Sequence, residues 1–485
     1  MRILLFTGGA GSMYCGSCLR DNALARELMR RGHDVVLTPL YTPTKTDETN
    51  VSGAHVFFGG ISVFLEQHSA LFRHTPRFMD RLWDSSWALK LATKRQIKVD
   101  AKSLGRMTVS MLRGEHGFQA KEIAKLLEWL RREERFDVIN LPYSLLISLA
   151  GPLKRELGTP VCCTLQGDDL FLDQLGEPYR QQSMDMIRAM SGDVDAFLPV
   201  SQYYLDYMPG YLGVPASRMR LATLGINTED FRPRARGGSG PFTIGYFARV
   251  APEKGFHVLV EAYCRLRKRP ATNGIRLLAA GYLPPEHKDY LEAARKRLAT
   301  AGLLHEFEYR GEVDRAAKIG FFREIDVLSV PTVYHEPKGL FTMEAMASGV
   351  PVVQPRVGAF PEVVERTGGG VVVDPGPAPR PLRCVKQGQK PQSPRPHGKP
   401  LRRRDVLLAP ARNTSLPPRP RGCPSQATNI PAARGRARPG PPRLRGSSGD
   451  PSTRWRSWPR PRRRDGRGRP PRTGRGPTRR RSPRR

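Results

Sequence analysis

Residues Arg2 to Thr7 form a short run with four consecutive apolar side chains, Ile3 to Phe6, which predicts a strand buried on both faces. Gly8-Gly9-Ala10-Gly11-Ser12 then turns the chain, and between Asp21 and Arg31 the leucines at 24 and 28 fall on one helical face before Gly32 ends the helix. Val35 to Leu40 reads as the next strand. The alternation returns with a strand at 137–141, a helix near 145–156, strands at 161–165 and 196–200, and a strand-like stretch at 219–224. It breaks at Pro233 to Pro241, where glycine, arginine and proline mark a linker. Beyond the linker the pattern resumes with a strand at 243–247, a helix with Phe256, Leu259, Tyr263 and Leu266 on one face, a strand at 276–280, a helix at 288–301, and strands at 306–309 and 325–330. Strands that alternate with helices predict parallel sheets. The expected fold class is therefore α/β, with two Rossmann-like domains at residues 1–235 and 241–375 and a helix-rich insertion at about 61–135 in the first.

Charge changes the picture at one end only. The chain has a formal net charge of +35, but residues 376–485 carry 29 Arg and 3 Lys against 3 Asp, a surplus of 29. The same 110 residues hold 23 Pro and no Glu, Phe or Tyr, so they cannot build a core and are expected to form a disordered tail. A shifted reading frame in a GC-rich gene explains this composition better than an evolved nucleic-acid-binding arm. The arm is the rival reading, with Trp455 and Trp458 stacking on bases. The first 375 residues are near balance in charge. No apolar run reaches the roughly 18 residues of a membrane span, and the start is too short for a signal-peptide core. A cytoplasmic protein is expected. Phe72, Phe78, Trp83 and Trp87 lie among lysines and arginines in the insertion; they are read as core, with peripheral contact at the inner membrane surface as the alternative.

Candidate chemistry gathers at residues 331–365. The strand at 325–330 feeds a polar loop, His335-Glu336-Pro337-Lys338-Gly339, and a helix then carries Glu344 until Gly349. Amides near Gly339 and Leu340 would favour an anion, because the first helical turn has unpaired N–H groups and the positive end of the dipole. Glu336 and Glu344 would accept hydroxyls on either side of it. Arg249 and Lys254 follow the strand at 243–247 and offer two cations for a departing diphosphate. The glycines at 8–12 miss the dinucleotide fingerprint, since Tyr14 stands where a last glycine is needed, and no acidic residue ends the second strand to hold a ribose. A nicotinamide cofactor is not expected. Asp168 and Asp169 follow the strand at 161–165 and are read as capping what comes next rather than holding a metal. Cys15-Gly16-Ser17-Cys18 has the spacing of a redox dithiol, but a structural or substrate-lining role is preferred.

Several of these residues together resemble the retaining glycosyltransferases of family 4. Glu336 and Glu344 match that family's E-x7-E pattern in EPKGLFTMEAMASGVPVV, Arg249 and Lys254 match its cations in ARVAPEKG, and GGAGS, TLQGDD, VSQYY and GINTEDF fall in family order. The resemblance covers residues 1 to about 375. It implies a GT-B fold, in which two Rossmann-like domains face each other across a cleft, and transfer of a sugar from a UDP-, GDP- or ADP-sugar with retention and no required metal. The acceptor would be a sugar, a lipid or a small molecule. The resemblance further implies that Arg249 and Lys254 hold phosphates, Glu336 the sugar and Glu344 the ribose. Gly339 and Leu340 would add amides, and Gly9 or Gly11 would approach from the first domain. Many members carry a His where this chain has Gln166, so an acceptor-side base would fall to Asp168 or His335. The ending also departs: the acidic helical close expected after Gly368 to Val373 is replaced at about Gly376. An inactive, truncated or frameshifted member is thus a third reading, beside an enzyme and a nucleotide- or nucleic-acid-binding protein.

Overall fold

The computed structural model describes residues 1–9, 13–53, 56–58, 67, 101–233 and 240–375. Gly11, nearly all of the insertion before residue 101, most of the linker and the basic tail lie outside the described residues. Both sheets belong to one compact unit spanning Met1–Gln392.

The first sheet contains β1 (Arg2–Thr7), β2 (Asp34–Pro39), β3 (Val138–Leu141), β4 (Val161–Leu165) and β5 (Ala196–Pro199). They run parallel in the order β2-β1-β3-β4-β5, with β1 in register on β2 from Arg2 opposite Asp34 to Thr7 opposite Pro39. The helices are α1 (Gly16–Arg30), α2 (Ala101–Leu112), α3 (Ala120–Leu130), α4 (Ala150–Leu157), α5 (Asp168–Gln174), α6 (Tyr179–Met190) and α7 (Gln202–Leu212). Every β1 residue from Ile3 to Thr7 is buried, because both faces of a parallel sheet are covered. Leu4, Phe6, Ile139, Leu141, Val161, Leu165 and Phe197 form one core with Ile123, Leu126, Leu127 and Leu130 of α3.

The second sheet contains β6 (Thr243–Phe247), β7 (Arg276–Ala280), β8 (Phe307–Tyr309), β9 (Val327–Leu328), β10 (Val352–Pro355) and β11 (Gly370–Val373). Its order is β11-β10-β9-β6-β7-β8, again all parallel. Counted from β6, this is 3-2-1-4-5-6 read from the other edge, the strand order of the dinucleotide-binding Rossmann fold, whereas the first sheet has the 2-1-3-4-5 order of flavodoxin-like domains. Helices α8 (Phe256–Leu266), α9 (Lys288–Thr300), α10 (Arg315–Glu324), α11 (Leu340–Ala347) and α12 (Phe360–Thr367) connect the strands. Two Rossmann-like parallel sheets are therefore present, as the pattern predicts.

Local differences have physical causes. α1 starts at Gly16 rather than Asp21, since the inward residues of its first turns are Cys18 and Asp21 rather than leucines, so no apolar period marks them. The helix expected near 145–156 is a 3₁₀ segment, Ser144–Leu149, followed by α4. The stretch at 219–224 makes a single bridge to β5 between Phe197 and Met219. The N–H groups of Arg220 and Ala222 donate to Phe197 and Pro199, but Pro199 has no N–H to return the next bond. β9 is two residues long, although the N–H groups of Asp326 and Ser329 also donate to Thr243 and Gly245 of the β6 edge. No helix among the described residues is long and apolar enough to cross a membrane.

Candidate functional site

In an open parallel sheet, a crevice forms where the strand order reverses, because the loops on either side leave in opposite directions. In the second sheet that point lies between β6 and β9. The loop leaving β6 carries Arg249 and Lys254; the loop leaving β9 carries His335, Glu336 and Gly339. The two are packed backbone to backbone. Gly255 has φ +71°, and a Cβ there would stand 1.8 Å from the carbonyl oxygen of Pro331, so no other residue fits without moving the loop. The buried Tyr246 hydroxyl donates to the Arg249 carbonyl at 3.1 Å and pins the first loop to its own strand.

This packing puts Lys254 Nζ 2.5 Å from Glu336 Oε2 and 2.6 Å from the Tyr334 hydroxyl, which also donates to Glu336. Glu336 Oε1 accepts from the N–H groups of Lys338 and Gly339, both at 3.3 Å, and the Glu336 carbonyl accepts from Ala359 N–H at 2.8 Å. Glu336 is only 3% exposed. Burial by itself would raise its pKa, but the charge and hydrogen bond of Lys254, the Tyr334 hydroxyl and the charge of Lys338 outweigh it and hold the carboxyl at about 2. Arg249 is exposed and pairs with Glu253. Glu344, one turn into α11, pairs through Oε1 with Lys318 of α10 at 2.5 Å, and Lys318 is simultaneously paired with Asp47. Burial would lower the Lys318 pKa, yet the two carboxylates raise it.

Asp47 belongs to the loop after β2, so the Lys318 bridge joins the two sheets. Other contacts cross the same gap: Arg315 to Glu48 at 3.1 Å, Lys45 to Glu312 at 2.9 Å, the Tyr14 N–H to Glu312 at 2.9 Å, and Lys338 Nζ to Ser17 Oγ at 2.8 Å. Between them lies a narrow, open crevice bounded by Arg20, Asp47, Asn227, Arg315 and Glu344 among others, with room for little more than a water molecule while these bridges are made. The N-termini of α1 and α11 approach each other here, with a Cβ on Gly16 lying 3.6 Å from Leu340 Cδ1. Gly9 has φ +74°, and a Cβ there would stand 1.8 Å from the Thr42 carbonyl oxygen. Its glycine identity thus follows from the chain's own packing, whatever it also meets in the crevice.

The side away from the loops after β6 and β9 is built differently. Asp168 is buried, with Oδ1 accepting from the N–H and hydroxyl of Ser144 at 2.6 Å each and Oδ2 from the Gln166 N–H at 2.9 Å. It therefore ties the loops after β3 and β4 together and does not cap α5, whose first turn it occupies. Burial raises its pKa against those hydrogen bonds. Asp169 accepts from the Tyr204 hydroxyl. Gln166 donates to the Pro142 carbonyl at 2.9 Å, and its buried Oε1 has no protein partner. His335 is exposed, with Nδ1 3.1 Å from the Tyr203 hydroxyl of α7, and Glu362 of α12 accepts from the Tyr203 N–H at 3.0 Å. Among the described residues, no three His, Cys, Asp or Glu side chains converge as a metal would require. Lys318, Lys338, Tyr203, Tyr334 and Asp47 were not singled out by sequence for these roles. Tyr203, inside VSQYY, and Tyr334 and Lys338, inside residues 331–365, lie in stretches that the sequence pattern marked.

Two parallel Rossmann-like sheets in one chain are the architecture of the GT-B class. The chain belongs to the group 1 glycosyl transferases: residues 241–382 match the model for glycosyl transferases group 1, and residues 22–225 match the glycosyl transferase 4-like domain. It is 29% identical over 205 residues to a GDP-mannose-dependent alpha-(1-6)-phosphatidylinositol monomannoside mannosyltransferase of Mycobacterium tuberculosis, covering 39% of this chain and 51% of that protein. It is 32% identical over 155 residues to a D-inositol 3-phosphate glycosyltransferase of an Arthrobacter species, covering 31% and 36%. The chain thus spans about half the length, or less, of these curated relatives. Among solved structures, Anabaena HepE in complex with UDP and glucose superposes with a TM-score of 0.52 at 18% identity over 78% of this chain and 87% of that one. Sucrose-phosphate synthase of Thermosynechococcus elongatus gives 0.54 at 17% identity over 78% and 86%. At such identities these two likenesses speak for the fold alone.

Proposed function

We propose that the protein is a glycosyltransferase that moves a hexose from a nucleoside-diphosphate sugar to an acceptor with retention of configuration. The observation that carries this reading is the buried Lys254–Glu336 pair at the start of α11, beside Arg249 and opposite the N-terminus of α1. A diphosphate seated there meets two cations and two helix N-termini, which suits the negative charge that grows on it as the sugar leaves. Glu336 stays anionic beside the sugar and opposes the positive charge that develops on the ring. The Gly339 and Leu340 amides lie at the same helix start. Glu344 keeps one oxygen free of Lys318 for ribose hydroxyls, and the nucleoside then lies in the crevice with Arg20 and Asn227.

On the acceptor side, Asp168 is committed to Ser144 and Gln166, which leaves His335 as the better-placed group to accept or relay a proton. Its Tyr203 partner would orient the ring. A phosphate oxygen of the departing diphosphate can take the acceptor's proton on the same face, which accounts for retention without a carboxylate nucleophile. The relatives' GDP-mannose and the neighbour's UDP name two candidate donors. The test is a thermal-shift panel of UDP-, GDP- and ADP-sugars on the full chain, because a ligand that binds only the folded state raises its apparent stability. One of them should raise the midpoint in the wild type and fail to do so in Lys254→Met. If none raises it, the donor-site reading is wrong.

A further inference from the structure

Cys15 and Cys18 are left over from the chemistry above, and their surroundings are unlike those of packing cysteines. Cys15 is the residue before α1, half-buried and extended; Cys18 lies one turn in and is 1% exposed. Cys15 occupies the N-cap position of α1 without a side-chain capping bond, and the i, i+3 spacing sets Cys18 beside it on the same helical face. Lys338, from the loop two residues beyond Glu336, reaches across the gap to Ser17 between the two cysteines and lends its charge to Cys15. Asp21 stands on the Cys18 side, and Tyr143, from the loop after β3, closes the group.

The arrangement is asymmetric. The neighbouring Cys18 and the Lys338 charge outweigh burial and lower the Cys15 pKa, whereas Cys15, burial and the Asp21 charge push Cys18 up. Lys338 is itself pushed down by burial and held up by Cys15 and Glu336, so it shares one electrostatic group with the Glu336 loop. Cys15 is the sulfur that an oxidant can reach, and Cys18 lies buried one turn in.

We propose that Cys15 and Cys18 form a reversible dithiol–disulfide site, with Cys15 as the attacking sulfur, and that closing the disulfide releases Lys338 and loosens the loop that carries Glu336. With a disulfide oxidant such as oxidised glutathione, the Cys15 thiolate attacks one sulfur, the oxidant's S–S bond breaks, and one thiolate leaves. Cys18 then loses its proton and attacks the Cys15 sulfur of the mixed disulfide, expelling the second thiol. Two electrons pass from the protein to the oxidant, which leaves as two thiols. Stabilising the Cys15 thiolate stabilises the reduced form, so the disulfide is readily reduced again, as a labile disulfide must be. Any effect on sugar transfer rests on the donor-site reading; formation of the disulfide does not.

The experiment uses the full chain, reduced and then exposed to oxidised glutathione. Trypsin releases Ile3 to Arg20 as one peptide that holds both cysteines and no other. That peptide should become lighter by two hydrogens and resist alkylation, and dithiothreitol should reverse both changes. Cys18→Ser should instead keep glutathione on Cys15. In the reduced chain, the Cys15 alkylation profile should lie at lower pH than that of an ordinary thiol of pKa about 8.5, and Lys338→Met should move it up. Amide exchange in the peptide containing residues 334–340 should rise on oxidation of the wild type, fall back with dithiothreitol, and stay unchanged when a variant carrying both Cys15→Ser and Cys18→Ser meets the same oxidant. Two free thiols after oxidation, glutathione retained on wild-type Cys15, or an ordinary alkylation profile would each overturn the proposal. Because none of these readouts needs sugar transfer, their failure is distinct from failure of the donor-site reading.

Discussion

Glu336→Gln tests how the corner between the loops after β6 and β9 is held together. The substitution keeps the shape of the side chain and removes its charge, leaving Lys254 buried against a neutral amide. The carboxyl is held at about 2 against an ordinary 4.5, a difference of roughly 2.5 units. At about 1.4 kcal/mol per unit, the ionised form is favoured in the folded protein by about 3 kcal/mol. Glu336→Gln should therefore lower stability by about 3 kcal/mol at neutral pH, read as the difference between urea denaturation curves of the two proteins. The sign of the pH dependence follows. An acid whose pKa is depressed on folding contributes its stability above its unfolded pKa and loses it as pH falls through the folded value. The gap between wild type and variant should be full at pH 5 and above, and should narrow from about pH 4.5 towards about pH 2. A cycle with Lys254→Met should return a coupling of similar order, because each single change strands the other partner. A variant as stable as the wild type at neutral pH, or a gap that ignores acid, would refute the assignment of Lys254 as the group that holds Glu336 ionised.

Lys318→Met should be severe, costing roughly 3–5 kcal/mol, since it leaves Asp47 and Glu344 buried together without a counter-charge; adding Glu344→Gln should recover part of that in the same denaturation assay. Arg249→Ala should leave the denaturation midpoint within about 1 kcal/mol, because the Arg249–Glu253 pair is exposed on its arginine side, yet weaken binding of whichever nucleotide sugar raises the thermal midpoint by about tenfold to a hundredfold in calorimetry. Gly9→Ala combines a left-handed backbone with a clash on Thr42 and should cost upwards of about 2 kcal/mol, seen as a lowered melting midpoint of the purified chain.

Much of the fold was legible because its signals are local. β1, β4, β6 and β7 coincide with apolar runs whose ends the sequence marks, and α8 buries Phe256, Leu259 and Tyr263 as their spacing predicts. The Glu336–Glu344 spacing and the ARVAPEKG loop could likewise be read in one dimension, since each lies within one strand-loop-helix unit. The first turns of α1 escaped the pattern because cysteine and aspartate, not leucine, face inward there.

The sequence alone determined that strands and helices alternate in two blocks and that carboxylates and cations follow strand ends in the second. Only the tertiary structure decided which of these groups meet. Lys338 finds Ser17, and Lys318 finds both Asp47 and Glu344, across contacts that in the longest case span 321 residues of chain. Asp168 proves to be a strut between two loops rather than a cap, because its partner Ser144 arrives from the neighbouring strand. Cys15 acquires its charge partner from the opposite sheet. Periodicity records which face of an element is buried; it carries no record of which distant charge will be waiting there. That is settled when burial forces each ionised group to find a partner or give up its charge.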